Sequence, residues 1–363
     1  MRHNLNFNIK IEKGSKMKEI NDILKKETVI DAHFDLLFDV VRQRQYGRRK
    51  IIETDYLPGF IEGGLNIVVS SIYIDDDSLP EMALRKALDQ VSSLYAEIDE
   101  SPNKIMLCKS YTDIMAAKKE GKIGIMLSFE GVEPLYNDLN LLRIFYELGV
   151  RIVGLVWSRR NYAADGCHFS KVREGTRGGI TDFGVQLIEA AEALGMFIDV
   201  SHLNDEGFWD VMKIAKKPVI ASHSNCRILS GTMRNLTDEQ IKALASKGGV
   251  IGINVASKFT ADNDKNADIE HLVNHVDHIV KLVGIEHVGF GFDFCDQLSK
   301  YIHTKQLKGT SLKSFDVFKG HKENKYFLAE IVKRGYKHEE IKLILGGNFL
   351  RVYREVLRCD KGM

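Results

Sequence analysis

Cysteine is scarce in this sequence. Cys108, Cys167, Cys226, Cys295 and Cys359 are an odd number, widely spaced and without a Cys-x-x-Cys pair. That spacing fits neither a disulfide framework nor a thiolate zinc site. An excess of one charge is also missing: 51 Lys and Arg face 50 Asp and Glu, for a formal net charge of +1. Nothing in that balance draws the chain to nucleic acid or an anionic membrane surface. Short basic clusters such as Arg48-Arg49-Lys50 read as solvated surface. Met1 to Lys26 is polar and lacks the apolar centre of a signal peptide, and no stretch is long enough to span a bilayer. A cytoplasmic, reducing location without a membrane partner is the expectation. No Gly-x-Gly-x-x-Gly follows the first apolar run, which weighs against a dinucleotide-binding open sheet.

What is present is a recurring alternation. The 44% hydrophobic and 28% charged content is ordinary for a globular enzyme. Eight short apolar, β-branched runs stand out: Val29–Asp35, Leu65–Ile74, Ile123–Gly131, Arg151–Trp157, Phe197–His202, Pro218–Ser224, Gly248–Val255 and Val288–Phe294. Most are continuously apolar, as expected for parallel strands buried on both faces. The segments between them read as helices. Pro80–Ile98 has helical periodicity, Thr181–Leu194 has an N-cap Thr and a stop at Gly195, and Thr237 to Gln240 spell a capping box. Eight βα alternations predict a single (β/α)₈ TIM-type barrel over residues 28–363, preceded by an extension over 1–27 with one short helix. A doubly wound open sheet is the alternative. The polar stretch 295–322 is long enough to read as a cover over a site.

The chemistry sits where the strands stop. His33 and Asp35 are two apart and share one strand face. Glu130 ends the third run, His202 the fifth, His223 lies near the end of the sixth, and Asp293 near the end of the eighth. Polar residues begin wherever strands end, which accounts for any one of them. It accounts poorly for three histidines and three carboxylates from five strands at the catalytic face of such a barrel. A carboxylate buried at a strand end is costly unless paired or metal-bound. The six suit two divalent ions about 3.5–4 Å apart, whose shared hydroxide is the nucleophile because metal binding brings the pKa of water to about 7. Zinc fits the ligand set first, with manganese, cobalt or iron as alternatives.

The stretches IDAHFD, SFEGVEPL, GGITDFG, GMFIDVSH, ASHSNCR, RNLTDEQI, GGVIGIN, VGFGFDF and GGNFLRVY, in that order between Val29 and Tyr353, resemble the membrane dipeptidase (renal dipeptidase) family of metal-dependent amidohydrolases. The resemblance implies a (β/α)₈ barrel, a binuclear zinc centre, a small dipeptide substrate and a homodimer. It implies that His33 and Asp35 hold one metal, His202 and His223 the other, and that Glu130 bridges them. Asp293 matches the acid/base residue and Arg234 the arginine that binds the substrate's terminal carboxylate, a task suited to a planar fork. Trp157 and Asn254 are placed with Arg234 in the substrate shell. Trp157 is a departure, because mammalian members carry an oxyanion-stabilising histidine there. Trp157 itself, Arg159, Arg160 or Asn161 would have to take its place.

Other residues carry blander readings. His271, His275 and His278 form a helical stripe, read as solvent-facing or at the edge of the core. Cys167, Cys226 and Cys295 fall near active-face loops without a catalytic thiol being required. Gly346-Gly347-Asn348 reads as a tight turn. Three functions compete: a zinc dipeptidase, possible on L-D as well as L-L dipeptides; a metal-dependent hydrolase of another small amide, such as an N-acyl amino acid or cyclic amide; and a non-catalytic binding barrel.

Overall fold

The computed structural model describes residues 17–168, 175–298 and 314–357. Eight parallel strands form one curled sheet: β1 (Val29–Phe34), β2 (Leu65–Tyr73), β3 (Ile105–Leu107), β4 (Ile123–Glu130), β5 (Val150–Gly154), β6 (Phe197–Asp199), β7 (Ile251–Ile253) and β8 (Val288–Phe290). The order is β6-β5-β4-β2-β1-β8-β7, with β3 paired to β4. β3 meets β4 at Ile123 to Ile125, and β5 meets it at Leu127 to Glu130, so both occupy one edge of β4 in succession. Every residue of β1 and of β4 is buried. That is the environment the continuous apolar runs call for.

The expected strand Pro218–Ser224 is not a regular ladder. It joins β6 through a single bridge, Asp199↔Ile220, and β7 through another, Ala221↔Ile251. Five backbone hydrogen bonds reinforce them: Val200 N to Ile220 O (2.9 Å), Ile220 N to Ile198 O (3.1 Å), Ala221 N to Val250 O (3.0 Å), Gly252 N to Ala221 O (2.8 Å) and Ser224 N to Gly252 O (2.7 Å). The segment therefore contacts both outer strands of the curl. Ser222 O lies so close to its neighbours that a Cβ on Gly252 would stand 1.9 Å from it, and one on Gly291 1.6 Å. Only glycine fits either place.

Helices cover the outside. Ala83–Glu100 starts three residues after the expected Pro80. Thr181 caps Asp182–Leu194 by accepting from Gly184 N, and Gly195 ends it at φ 82°. The Thr237–Gln240 capping box is formed. The helix at residues 17–26 buries Ile20, Ile23 and Leu24 in the main core, so this part of the expected extension packs with the sheet. Gly346, at φ 177° and ψ −12°, breaks the helical path in a kink just before the final helix, Asn348–Val356, where a tight turn was expected. Of the expected cover at 295–322, residues 299–313 lie outside the described residues. Its flanks are joined where the Asp316 carboxylate accepts from Cys295 N (3.1 Å) and Asp296 N (2.9 Å).

Candidate metal centre

His33 is the penultimate residue of β1, Asp35 follows that strand, and Glu130 closes β4. His223 comes from the bridging segment. His202 and Asp293 each lie three residues beyond β6 and β8, in left-handed backbone at φ 70° and 57°. Non-glycine residues rarely adopt that conformation, and those that do cluster at working sites.

The six side chains converge. His33 Nε2 lies 3.9 Å from Asp35 Oδ1, 3.6 Å from Glu130 Oε2 and 3.8 Å from Asp293 Oδ1. The other Glu130 oxygen, Oε1, lies 3.0 Å from His202 Nε2 and 3.7 Å from His223 Nε2. The two Nε2 atoms are 3.0 Å apart, and the His33 and His223 rings stack at 3.6 Å. Glu130 thus divides its oxygens between two groups of donors. His33 Nε2 and Glu130 Oε2 are buried without a hydrogen-bond partner. Ligand atoms about 2.0–2.2 Å from a shared ion stand roughly 3–4 Å from one another, so the separations suit a cation. Two triads each keep their ligand atoms within 4.8 Å of one another: His33, Glu130 and His223, and His33, Asp35 and Asp293.

The imidazoles are oriented from behind. Ser222 donates its hydroxyl proton to Asp199, so its Oγ accepts from His223 Nδ1 at 2.7 Å and leaves the Nε2 lone pair facing the centre. Ser158 Oγ sits 2.9 Å from His202 Nδ1. Ser71 donates to Asp35. Two further carboxylates, missed from sequence, staple the strand ends. Asp31 Oδ1 accepts from Phe292 N (2.9 Å) and His33 N (3.3 Å), and its Oδ2 is 2.6 Å from His321 Nε2. Asp199 Oδ1 accepts from Ser222 N (2.9 Å) and Ser201 N (3.0 Å). The signal was present as an aspartate inside an apolar run, two residues before His33 and three before His202.

Burial and mutual repulsion govern the electrostatics. Burial favours neutral His33, yet Glu130, Asp293 and Asp35 outweigh it and raise its pKa to about 10. Burial, then the nearby Glu130 charge, pushes Asp35 well up. Asp293 is raised to about 6, chiefly by burial and against the pull of His33. Burial and the Arg234 charge lower His202 to about 3. Burial and His33 lower His223. Neutral imidazoles with inward lone pairs beside crowded carboxylates make a donor set that a divalent ion would complete.

Arg234 is 3% exposed. It donates to Ser224 Oγ (2.9 Å) and His223 O (2.8 Å), while its Nε is buried without a partner. Among the described residues no carboxylate forms an ion pair with it. Trp157 packs against Tyr73 (5.3 Å between centroids) and His202 (6.0 Å). The three candidate substitutes for the missing histidine are engaged elsewhere. Arg159 binds Glu133, Asp76 and Ile74 O, Arg160 binds Asp165, and Asn161 spans Leu155 O and Ala163 N. Asn254 is fully buried. Its Nδ2 donates to Asp293 Oδ2 at 2.9 Å and its Oδ1 accepts from Ala256 N at 2.8 Å. These bonds make it a support for Asp293.

The family model described as membrane dipeptidase, peptidase family M19, matches residues 17–363. The chain belongs to the membrane dipeptidase family. Dipeptidase tcpJ of Claviceps purpurea is 27% identical over 311 residues, 83% of this chain and 68% of the relative. An uncharacterized protein in the pqqA 5' region of Klebsiella pneumoniae is 34% identical over 209 residues, 56% of this chain and 77% of its own. A metallopeptidase from Rhodobacter sphaeroides, solved with a phosphinate mimic of L-Ala-D-Ala, superposes with TM-score 0.79 at 24% identity, over 92% of this chain and 99% of that one. The probable dipeptidase PvdM of Pseudomonas aeruginosa gives 0.79 at 21%, over 94% and 98%. These two likenesses show a shared fold.

Membership makes the chain a peptide-bond hydrolase of a metallopeptidase family. The histidines of the helical stripe in this dipeptidase-family chain are tied to protein partners. His275, read from sequence as a surface or core-edge residue, is fully buried: Cys226 N donates to its Nδ1 (3.1 Å) and its Nε2 faces Thr260 O (2.9 Å). His271 pairs with Asp268 and His278 with Asp238, so the stripe does not converge on a ligand. Cys167 and Cys226 are buried, and Cys295 is half-buried with Sγ 3.2 Å from Asp293 O. Among the described residues no helix is long and apolar enough to cross a membrane.

Proposed function

We infer that the chain is a zinc-dependent dipeptidase built on a (β/α)₈ barrel that closes through residues 218–224. The observation that carries this reading is Glu130, whose two oxygens face separate donor groups. His33 and Asp35 would hold one ion, His202 and His223 the other, and Glu130 would span both. When bound, such a pair lowers the pKa of water and polarises the amide carbonyl.

The chain's own residues do the rest. Asp293, buried and held by Asn254, accepts the proton of the attacking water and returns it to the departing amine. Its pKa of about 6 suits both steps near neutrality. Arg234 takes the terminal carboxylate of the substrate, which supplies the anionic partner its buried guanidinium lacks. A D-residue at that end is accommodated in this reading, in line with the L-Ala-D-Ala mimic held by the Rhodobacter sphaeroides protein.

The test is a panel of L-L and L-D dipeptides given to purified, metal-loaded protein, with N-acetyl amino acids alongside. Dipeptide hydrolysis is expected. An N-acyl amino acid offers Arg234 the same carboxylate, so cleavage of those compounds alone would replace the dipeptidase reading. No turnover of either class, with metal content verified, would remove it.

A further inference from the structure

The substitution of Trp157 leaves the reaction short of one donor. As the water oxygen bonds to the amide carbon, the carbonyl π pair moves onto oxygen. The C–N bond then breaks, and the amine leaves with the proton that Asp293 carries. The negative oxygen needs a fixed N–H or O–H at that moment. Arg159, Arg160 and Asn161 are committed to protein partners.

Tyr73 ends β2 directly beside Glu130, its register partner on β4. Ser71, two residues earlier on the same face of β2, donates to Asp35. Because side chains two apart on a strand point the same way, Tyr73 faces the metal centre one step nearer its mouth. Its half-buried ring is fixed between Phe38 (5.4 Å) and Trp157 (5.3 Å), and Trp157 in turn packs on His202. The Arg159 guanidinium lies 5.6 Å from the Tyr73 ring centroid. Arg159 is itself anchored by Glu133 Oε1 (2.6 Å), Asp76 Oδ1 (2.9 Å) and Ile74 O (2.7 Å). A cation beside a phenol makes the phenol a better donor through its own proton. Among the described residues no acceptor takes that proton.

We propose that the Tyr73 hydroxyl is a catalytic residue that donates a hydrogen bond to the oxyanion of the tetrahedral intermediate, in the role left open at Trp157. Trp157 then serves as the wall that fixes the Tyr73 ring. The assignment deepens the dipeptidase reading and rests on it for the identity of the scissile bond. No proton leaves Tyr73, and burial holds the phenol in its protonated form.

Tyr73→Phe keeps the ring and removes only the donor. Three quantities are read on the metal-loaded full chain: metal content, kcat and KM on its best dipeptide, and calorimetric affinity for a phosphinate isostere of that dipeptide. The expected result is unchanged metal, a fall in kcat of roughly 10²–10³-fold with KM nearly constant, and a matching loss of phosphinate affinity. Adding Trp157→His to Tyr73→Phe is expected to restore part of both losses, which a packing role would not allow. Retained kcat and phosphinate affinity in Tyr73→Phe, with both lost in Trp157→Phe, would overturn the proposal in favour of the indole. Loss of metal from Tyr73→Phe would overturn it in favour of a structural role. If the wild type cleaves no dipeptide yet binds the phosphinate through Tyr73, the dipeptidase reading fails and the donor assignment stands.

Discussion

Asp293 combines backbone strain with the acid/base role proposed for it. Its left-handed backbone, φ 57°, is tolerated by Asp and Asn better than by other side chains. Its N–H is tied to His33 O (3.2 Å) and its carboxylate to Asn254. Asp293→Asn therefore keeps the backbone and an oxygen for Asn254 while removing the proposed proton carrier. The expected outcome is full metal content with kcat lowered roughly 10²–10⁴-fold, read by elemental analysis and steady-state kinetics. Unchanged turnover would show the role to be misassigned. Arg234 invites the opposite comparison. A buried guanidinium without a carboxylate costs stability, which binding of an anion would offset. Arg234→Met should raise KM roughly 10²-fold, about 3 kcal/mol of charge-assisted binding. The thermal midpoint should hold or rise, because an unpaired buried charge gives way to an apolar side chain. A parallel loss of stability would mark Arg234 as a structural residue.

At the scale of elements, the segment 218–224 positions His223 without a regular ladder. Its carbonyl at Ser222 sits against Gly252 of β7 and Gly291 just past β8. Gly291→Ala would place a methyl 1.6 Å from that oxygen, where backbone on both sides leaves no room to yield. A cost of about 1–3 kcal/mol is expected, as for other overpacked sites. Urea denaturation measures it, and metal titration should show His223 displaced as weakened binding. Wild-type stability and affinity in that variant would mean that the Ser222 carbonyl is free to move away from the added methyl. The sequence made much of this frame readable, because strands buried on both faces write themselves as unbroken apolar runs. Ile105–Leu107 escaped because it is three residues long with only Ile105 buried. Strand ends pointed to the six converging side chains. They could not give Asn254 its partner Asp293, 39 residues away, or point to the staples at Asp31 and Asp199. Those hydrogen bonds join strands that are neighbours only in space.

The whole molecule is almost neutral, but its centre is not. Asp35, Glu130 and Asp293 crowd one imidazole, and a chain stripped of metal must balance them with protons. In that state His33 is held near pKa 10 against an ordinary 6.5. A folded-state pKa above the unfolded value gives stability that is complete below 6.5 and lost as pH rises through 10. The lowered values at His202 and His223 act on the other side: their cost appears only as pH falls below 6.5. Asp293, raised to about 6, has released its proton before the His33 window is well entered and leaves the upper slope unchanged. The metal-free chain should therefore lose thermal stability steadily between about pH 7 and 10. The metal-loaded chain, in which divalent charge replaces the proton, should hold a flatter profile over that range and a higher midpoint throughout. Differential scanning calorimetry on chelated and reloaded samples reads both. A chelated protein as flat as the loaded one would mean that the carboxylates do not share one charge-deficient centre, and the paired-ion reading of Glu130 would go with it.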